Sequence, residues 1–161
     1  MRVIKDRQIV DDDWALLEAN APVPATGDVI VSLTQWSSGR EGFAGRVGRV
    51  GLRLKSSESP EQIQALHQLP LLAIEFPTFS DGRGYTSARL LRERYGYRGE
   101  LRAVGDVLRD QLFYMARCGI DSFALAAGKD SIAALAAFDD FSVTYQAAAD
   151  DPRPLFRRVE R

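Results

Sequence analysis

From Ser59 onward, apolar runs of strand length take turns with helix-period segments over short connections, and this alternation restricts the fold more than any other feature. Ser59 is a capping candidate ahead of Pro60 at the first helical position, with Ile63, Leu66 and Leu69 on the buried side. Leu71-Leu72-Ala73-Ile74 is a continuous apolar run, as expected for a parallel strand covered on both faces. Pro77 then denies Phe76 an easy helical conformation, so the strand leaves through an extended turn. A helix is expected from Tyr85 to Tyr95, with Ala88, Leu91 and Tyr95 on one face and Gly96 as its stop. Leu101 to Val104 reads as the next strand and Asp106 to Arg117 as the next helix, with Leu108, Leu112 and Met115 at core spacing. Ser122 to Leu125 is a strand again, Ser131 to Phe138 a helix, and Phe141 to Tyr145 a last short strand. Repeated units of this kind imply a parallel sheet with right-handed crossovers.

The first part of the chain follows other rules. Val3-Ile4 and Ile9-Val10 flank Lys5-Asp6-Arg7-Gln8, which predicts a hairpin. Trp14 to Leu17 reads as a helical turn or a loop anchored by the indole, and Asn20 to Thr26 as a connector. Asp28 to Leu33 is a strand candidate, as is RVGRVGLRL from Arg46 to Leu54, whose glycines hint at close backbone approach. The expectation is therefore a single α/β domain over residues 1–149, a mainly parallel sheet built from βα units with an antiparallel N-terminal portion. A flexible C-terminal tail, 150–161, follows, frayed or docked through Leu155 and Phe156. Two arrangements fit: an open three-layer sheet, preferred here because a half (βα) barrel needs a partner to close, and the half barrel, which would then form a homodimer.

Composition removes whole classes of chemistry. The net charge of -1 argues against a nucleic-acid binder, and no run is long enough to span a bilayer or serve as a signal peptide, so a cytoplasmic protein is expected. Cys118 is the only cysteine and His67 the only histidine, which leaves no plausible His/Cys metal site and no cluster ligands. No GxGxxG follows a strand and no Walker loop occurs. Neither cofactor nor metal is expected. Cys118 falls in the last turn of its helix, where the dipole disfavours a thiolate, and reads as buried and inert. The aromatics Phe76, Phe79, Tyr85, Phe113, Tyr114 and Phe123 read as core.

What remains is a polar set at the expected strand ends. In parallel α/β folds ligands bind beyond the carboxyl ends of the strands. Glu75 ends one strand and leads to Asp81-Gly82-Arg83, while Gly105-Asp106 ends the next and opens a helix carrying Arg109. Together with Arg102, these residues suit a small oxyanion, an Arg-clamped acid or a protein partner. The plainer reading stands beside this one. Asp106 also fits an N-cap, Asp81-Gly82 ordinary turn chemistry, and Arg109 the exposed side of a helix.

The stretch EFPTFSDGRGYTSARLLRERYGYRGELRAVGDVLRDQLFYMARCGIDSF resembles, almost position by position, a bacterial family of unknown function. The opening hairpin with Asp12-Asp13-Trp14 and the segment from Asp140 to Gln146 also resemble it, so the likeness runs to about Ala149. Genes of that family commonly lie beside the sulfite/nitrite reductase of cysteine biosynthesis, and the family carries the label of an oxidoreductase of sulfite reduction. The resemblance thus implies a pathway and a partner, the reductase, without supplying catalytic residues. It implies an accessory of assimilatory sulfite reduction. The alternative is a small enzyme or sensor binding an anionic sulfur metabolite through Glu75, Asp81, Arg83, Arg102, Asp106 and Arg109.

Overall fold

Eight strands form one sheet in the computed structural model of the protein, which describes residues 2–158. They are β1 (Arg2–Lys5), β2 (Gln8–Asp11), β3 (Ala15–Leu16), β4 (Val29–Ser32), β5 (Val50–Leu54), β6 (Leu71–Phe76), β7 (Glu100–Gly105) and β8 (Ser122–Phe123). The order across the sheet is β2-β1-β8-β7-β6-β5-β4-β3. From β3 to β8 every neighbour is parallel and next in the chain, whereas β1 lies antiparallel on β8 and β2 antiparallel on β1. The hairpin and the parallel βα units are as the alternation predicts.

Because the order never reverses, each right-handed crossover steps the same way and leaves its connection on the same face. The helices are α1 (Leu33–Gly39), α2 (Arg83–Arg89), α3 (Leu112–Arg117), α4 (Ser131–Leu135) and α5 (Leu155–Arg158). Trp36, Ala88, Met115 and Ala134 from the first four, with Leu91 just after α2, pack with Val31, Leu52, Ile74, Ala103 and Phe123 in one cluster. The alternate strand residues Val3, Ile30, Leu71, Ala73 and Val104 form a second cluster on the other face, against Val10 and Trp14.

The sheet cannot be flat. An open sheet of eight strands holds its outer strands about 34 Å apart, at about 4.8 Å per step. Here the outer strands β2 and β3 are joined only by residues 12–14, and the chain from Asp11 to Ala15 reaches about 14 Å at most. The sheet therefore curls into a half barrel, and the strap Asp12–Trp14 runs between its edges. Trp14 lies against Gly51, where a Cβ would come within 3.2 Å of the indole. Leu71 and Ala73 on the inner face are fully buried. The open three-layer sheet, preferred because a half barrel needs a partner to close, is therefore replaced by the half barrel, whose inner face is filled by the strap and side chains of the same chain.

Several elements depart from their expected form. Ser59 does cap a turn at Pro60, with a capping box to Gln62, but the segment breaks into 3-10 turns at Pro60–Gln62 and Leu66–Gln68 around Ala65 in the left-handed region. The helix expected to Tyr95 is α2 followed by a π-helical turn, Leu90–Arg94. The one expected from Asp106 begins at a 3-10 turn, Arg109–Gln111, before α3. Trp14 to Leu17 holds β3 rather than a helical turn. Phe141 to Tyr145 is not a strand, because β1 already occupies the edge of β8 that a further strand would need. In the tail, Arg117 pairs with Asp150 and Arg158 donates to the Thr144 carbonyl, while residues 159–161 lie outside those described. Among the described residues no helix is long and apolar enough to cross a membrane.

Candidate functional site

The carboxyl ends of β5, β6 and β7 carry most of the expected polar set. On β6, Glu75 continues the inner-face alternation of Leu71 and Ala73. Its Oε2 stands 3.7 Å from Nε of Arg53 on β5. Both atoms are buried and neither makes a hydrogen bond. Arg53 escaped the sequence reading because RVGRVGLRL gives no sign of which side of the strand faces inward; its place between Leu52 and Leu54 was the only signal.

Asp81 and Arg83 form a closed local pair at the start of α2. Asp81 accepts from Arg83 Nε at 2.9 Å, Nη2 at 2.7 Å and the backbone N–H at 3.2 Å, and Arg83 also donates to Ser56 Oγ at 3.1 Å. The guanidinium hydrogen bonds hold the Asp81 carboxyl well below the usual carboxylate range. Asp106 is a loop tie rather than an N-cap. Its Oδ2 accepts from Phe79 N–H at 3.1 Å and its own N–H donates to the Phe76 carbonyl at 2.7 Å, which locks the β6–α2 loop to the end of β7. Gly105 permits this closeness, since at φ +98 a Cβ would sit 2.4 Å from the Phe76 oxygen. Arg109 binds Asp140 through both terminal nitrogens, at 3.1 and 2.8 Å, on the exposed surface.

Arg102 is placed elsewhere. It lies in the middle of β7 on the inner face at 2% exposure, with Nη1 and Nη2 on the two Asp12 oxygens at 2.9 and 2.7 Å. Nε and Nη2 reach Glu100 Oε1 at 2.9 and 2.6 Å, and Nε is 3.2 Å from Ser122 Oγ. Lys5 completes the group with a 2.7 Å contact to Glu100 Oε2. Burial pushes the Glu100 carboxyl up, but Lys5 and Arg102 outweigh it and hold the group below its usual value. Arg102 and Arg83 share no partner, so Arg102 braces the strap against the sheet instead of joining a rim site. Asp12 lies ninety positions away in the chain, where no local pattern marks it.

Beside the rim is an aromatic surface. Phe76 and Phe123 are core as expected, but Phe79 and Tyr114 are each 58% exposed, and Phe141 is 63% exposed. Tyr114 packs on Tyr85 with ring centroids 5.1 Å apart, and Phe141 on Phe113 at 4.9 Å. Cys118, by contrast, is buried, and that burial pushes its thiol up. Among the described residues no three His, Cys, Asp or Glu side chains converge to hold a metal ion.

A family model described as a bacterial protein of unknown function (DUF934) matches residues 51–156, from β5 to α5. The chain belongs to this family. No curated protein and no solved structure matches it. The DUF934 stretch contains Arg53, Glu75, the Asp81–Arg83 pair, Asp106 and the Arg109–Asp140 pair, together with Arg102. Asp12 and the hairpin precede it, so one carboxylate partner of Arg102 comes from outside the matched stretch while the other, Glu100, lies within it.

Proposed function

We propose that this protein is a non-catalytic accessory of assimilatory sulfite reduction, acting in the bacterial cytoplasm by docking on the sulfite/nitrite reductase. The resemblance of its central segment to a family whose genes neighbour that reductase supplies the pathway. The observation that carries the docking reading is the state of the rim. Arg83 and Arg109 already hold carboxylates, while Phe79, Tyr114 and Phe141 stand exposed beside them. Exposed apolar surface rimmed by polar pairs is the usual anatomy of a protein contact. Reducing sulfite itself takes several electrons, and one Cys and one His cannot ligate the clusters such chemistry uses.

One observation favours a second reading, binding of an anionic sulfur metabolite at the rim: Arg53 Nε is buried there without a hydrogen-bond acceptor. Copurification of the tagged full chain with the reductase separates the two. A stable complex, weakened by Phe79→Ser and Phe141→Ser, supports docking. Absence of a complex, with a melting temperature raised by sulfite in wild type but not in Arg53→Gln, overturns docking in favour of the metabolite.

A further inference from the structure

The amino ends of β7 and β8 border a cleft of about 880 Å³ that neither rim reading uses. Arg98 enters it from just before β7, and Gly119, Ile120 and Asp121 from just before β8. The Asp6-Arg7 hairpin turn forms one lip, the end of α2 with its π-helical turn another wall, and residues 147–150 the outer wall. Ile120, Phe123 and Phe138 make its floor, each buried in the core beneath it. The volume lies within the range of small-molecule sites.

Charges in the cleft sort into spent and free. Arg92 is a scaffold, donating at 2.8 Å to each of the carbonyls of Gly119, Tyr97 and Gly99 and at 2.6 Å to Asp121. Arg89 is held by Glu93, and Asp150 by Arg117. Arg98 is exposed and forms no ion pair with any described residue, and Arg7 meets only the exposed Asp139 at 3.5 Å while lying over the Phe138 ring. Of the lining charges, Arg98 and Asp6 are in no ion pair with a described residue, and Arg7 is held only by its long, exposed contact with Asp139, which a bound anion can displace.

Two backbone features concentrate at the same place. The π-helical turn Leu90–Arg94 interrupts the helix at the cleft wall, where π turns are frequently functional. Asp6 and Arg7 both have positive φ, 49 and 61, as the two-residue turn between β1 and β2 requires, and that turn sets Arg7 at the lip. We infer that this cleft binds a small organic monoanion, its flat apolar body on Phe123 and Phe138 and its charge between Arg7 and Arg98. The inference is independent of docking at the rim.

Anilinonaphthalene sulfonate has this chemistry, and N-phenylnaphthylamine is the same body without the anion, so a fluorescence titration with each probe tests both parts. The wild-type chain is expected to bind one sulfonate. The variant with Arg7→Gln and Arg98→Gln should weaken it roughly tenfold and leave the uncharged probe unchanged. Ala148→Trp, which fills the cleft, should abolish both, and Phe79→Ser with Phe141→Ser should change neither. Because Arg7 and Arg98 are exposed, the double variant should melt with wild type; should it unfold, Ala148→Trp decides alone. Failure of wild type to bind, sulfonate affinity unchanged in the arginine variant, or loss of binding in the rim variant instead overturns the assignment.

Discussion

Replacing Arg102 by methionine keeps most of the side chain's length and removes its charge from between Asp12 and Glu100, whose side chains are 4% and 9% exposed. Glu100 keeps Lys5, but Asp12, also buried, loses both of its hydrogen bonds from the Arg102 guanidinium. Removing one partner of a buried pair costs about 3–5 kcal/mol. In a chain of this length each kcal/mol lowers the melting temperature by about 2–4 °C, so the expected drop is about 6–20 °C. Arg83→Ala, which breaks an exposed pair, should melt with the wild type. Adding Asp12→Leu to Arg102→Met should recover much of the loss, because the cost lies in burying the Asp12 charge without the Arg102 guanidinium. The effect also has a pH signature. Glu100, held below its usual value, contributes stability above the ordinary carboxylate range and loses it as pH falls through its lowered folded value. In Arg102→Met that contribution is reduced, so the deficit against wild type should be largest near neutrality and shrink in acid. Scanning calorimetry of the variants across pH measures all of this. An Arg102→Met protein that melts with wild type, or a deficit that grows in acid, would refute the brace.

Gly105→Ala should lower the urea midpoint by the equivalent of about 2–3 kcal/mol, because positive φ and the Phe76 carbonyl oppose a Cβ together; Gly96→Ala, with positive φ but open space, should cost only about 1 kcal/mol. Cys118 should resist iodoacetamide in the folded protein at mildly alkaline pH and react promptly in urea, since burial both shields the thiol and pushes it up. Equal labelling rates in the two states would contradict its placement.

The hairpin and the parallel βα units were legible because each is announced locally, by Asp6-Arg7 between apolar pairs and by runs such as Leu71 to Ile74. Curvature was not. It follows from β2 and β3 occupying opposite edges, a pairing decided by contacts with β1 and β4 rather than by any residue in residues 12–14. The same distance hid the Arg102–Asp12 pair and turned a candidate ligand-binding arginine into an internal one. Phe141 to Tyr145 shows the converse error: FSVTY has strand-forming residues, but propensity needs a vacant edge, and β1 had taken it. Asp81, Arg83, Asp106 and Arg109 were legible from their place at the expected strand ends, and their partners Ser56, Phe79 and Asp140 only from the folded chain.

The strap also orders events during synthesis. The hairpin of β1 and β2 leaves the ribosome before the other strands, yet β1 pairs with β8, whose Phe123 is opposite Ile4. At about 5–20 residues per second, the hairpin waits about 6–24 s for that strand to be made. Asp12 likewise waits for Arg102 on β7, and the inner layer of β6 emerges before β8 is there to take the hairpin. The half barrel is thus closed last by its earliest residues, and nascent chains shorter than β8 expose the surface most prone to wrong pairing.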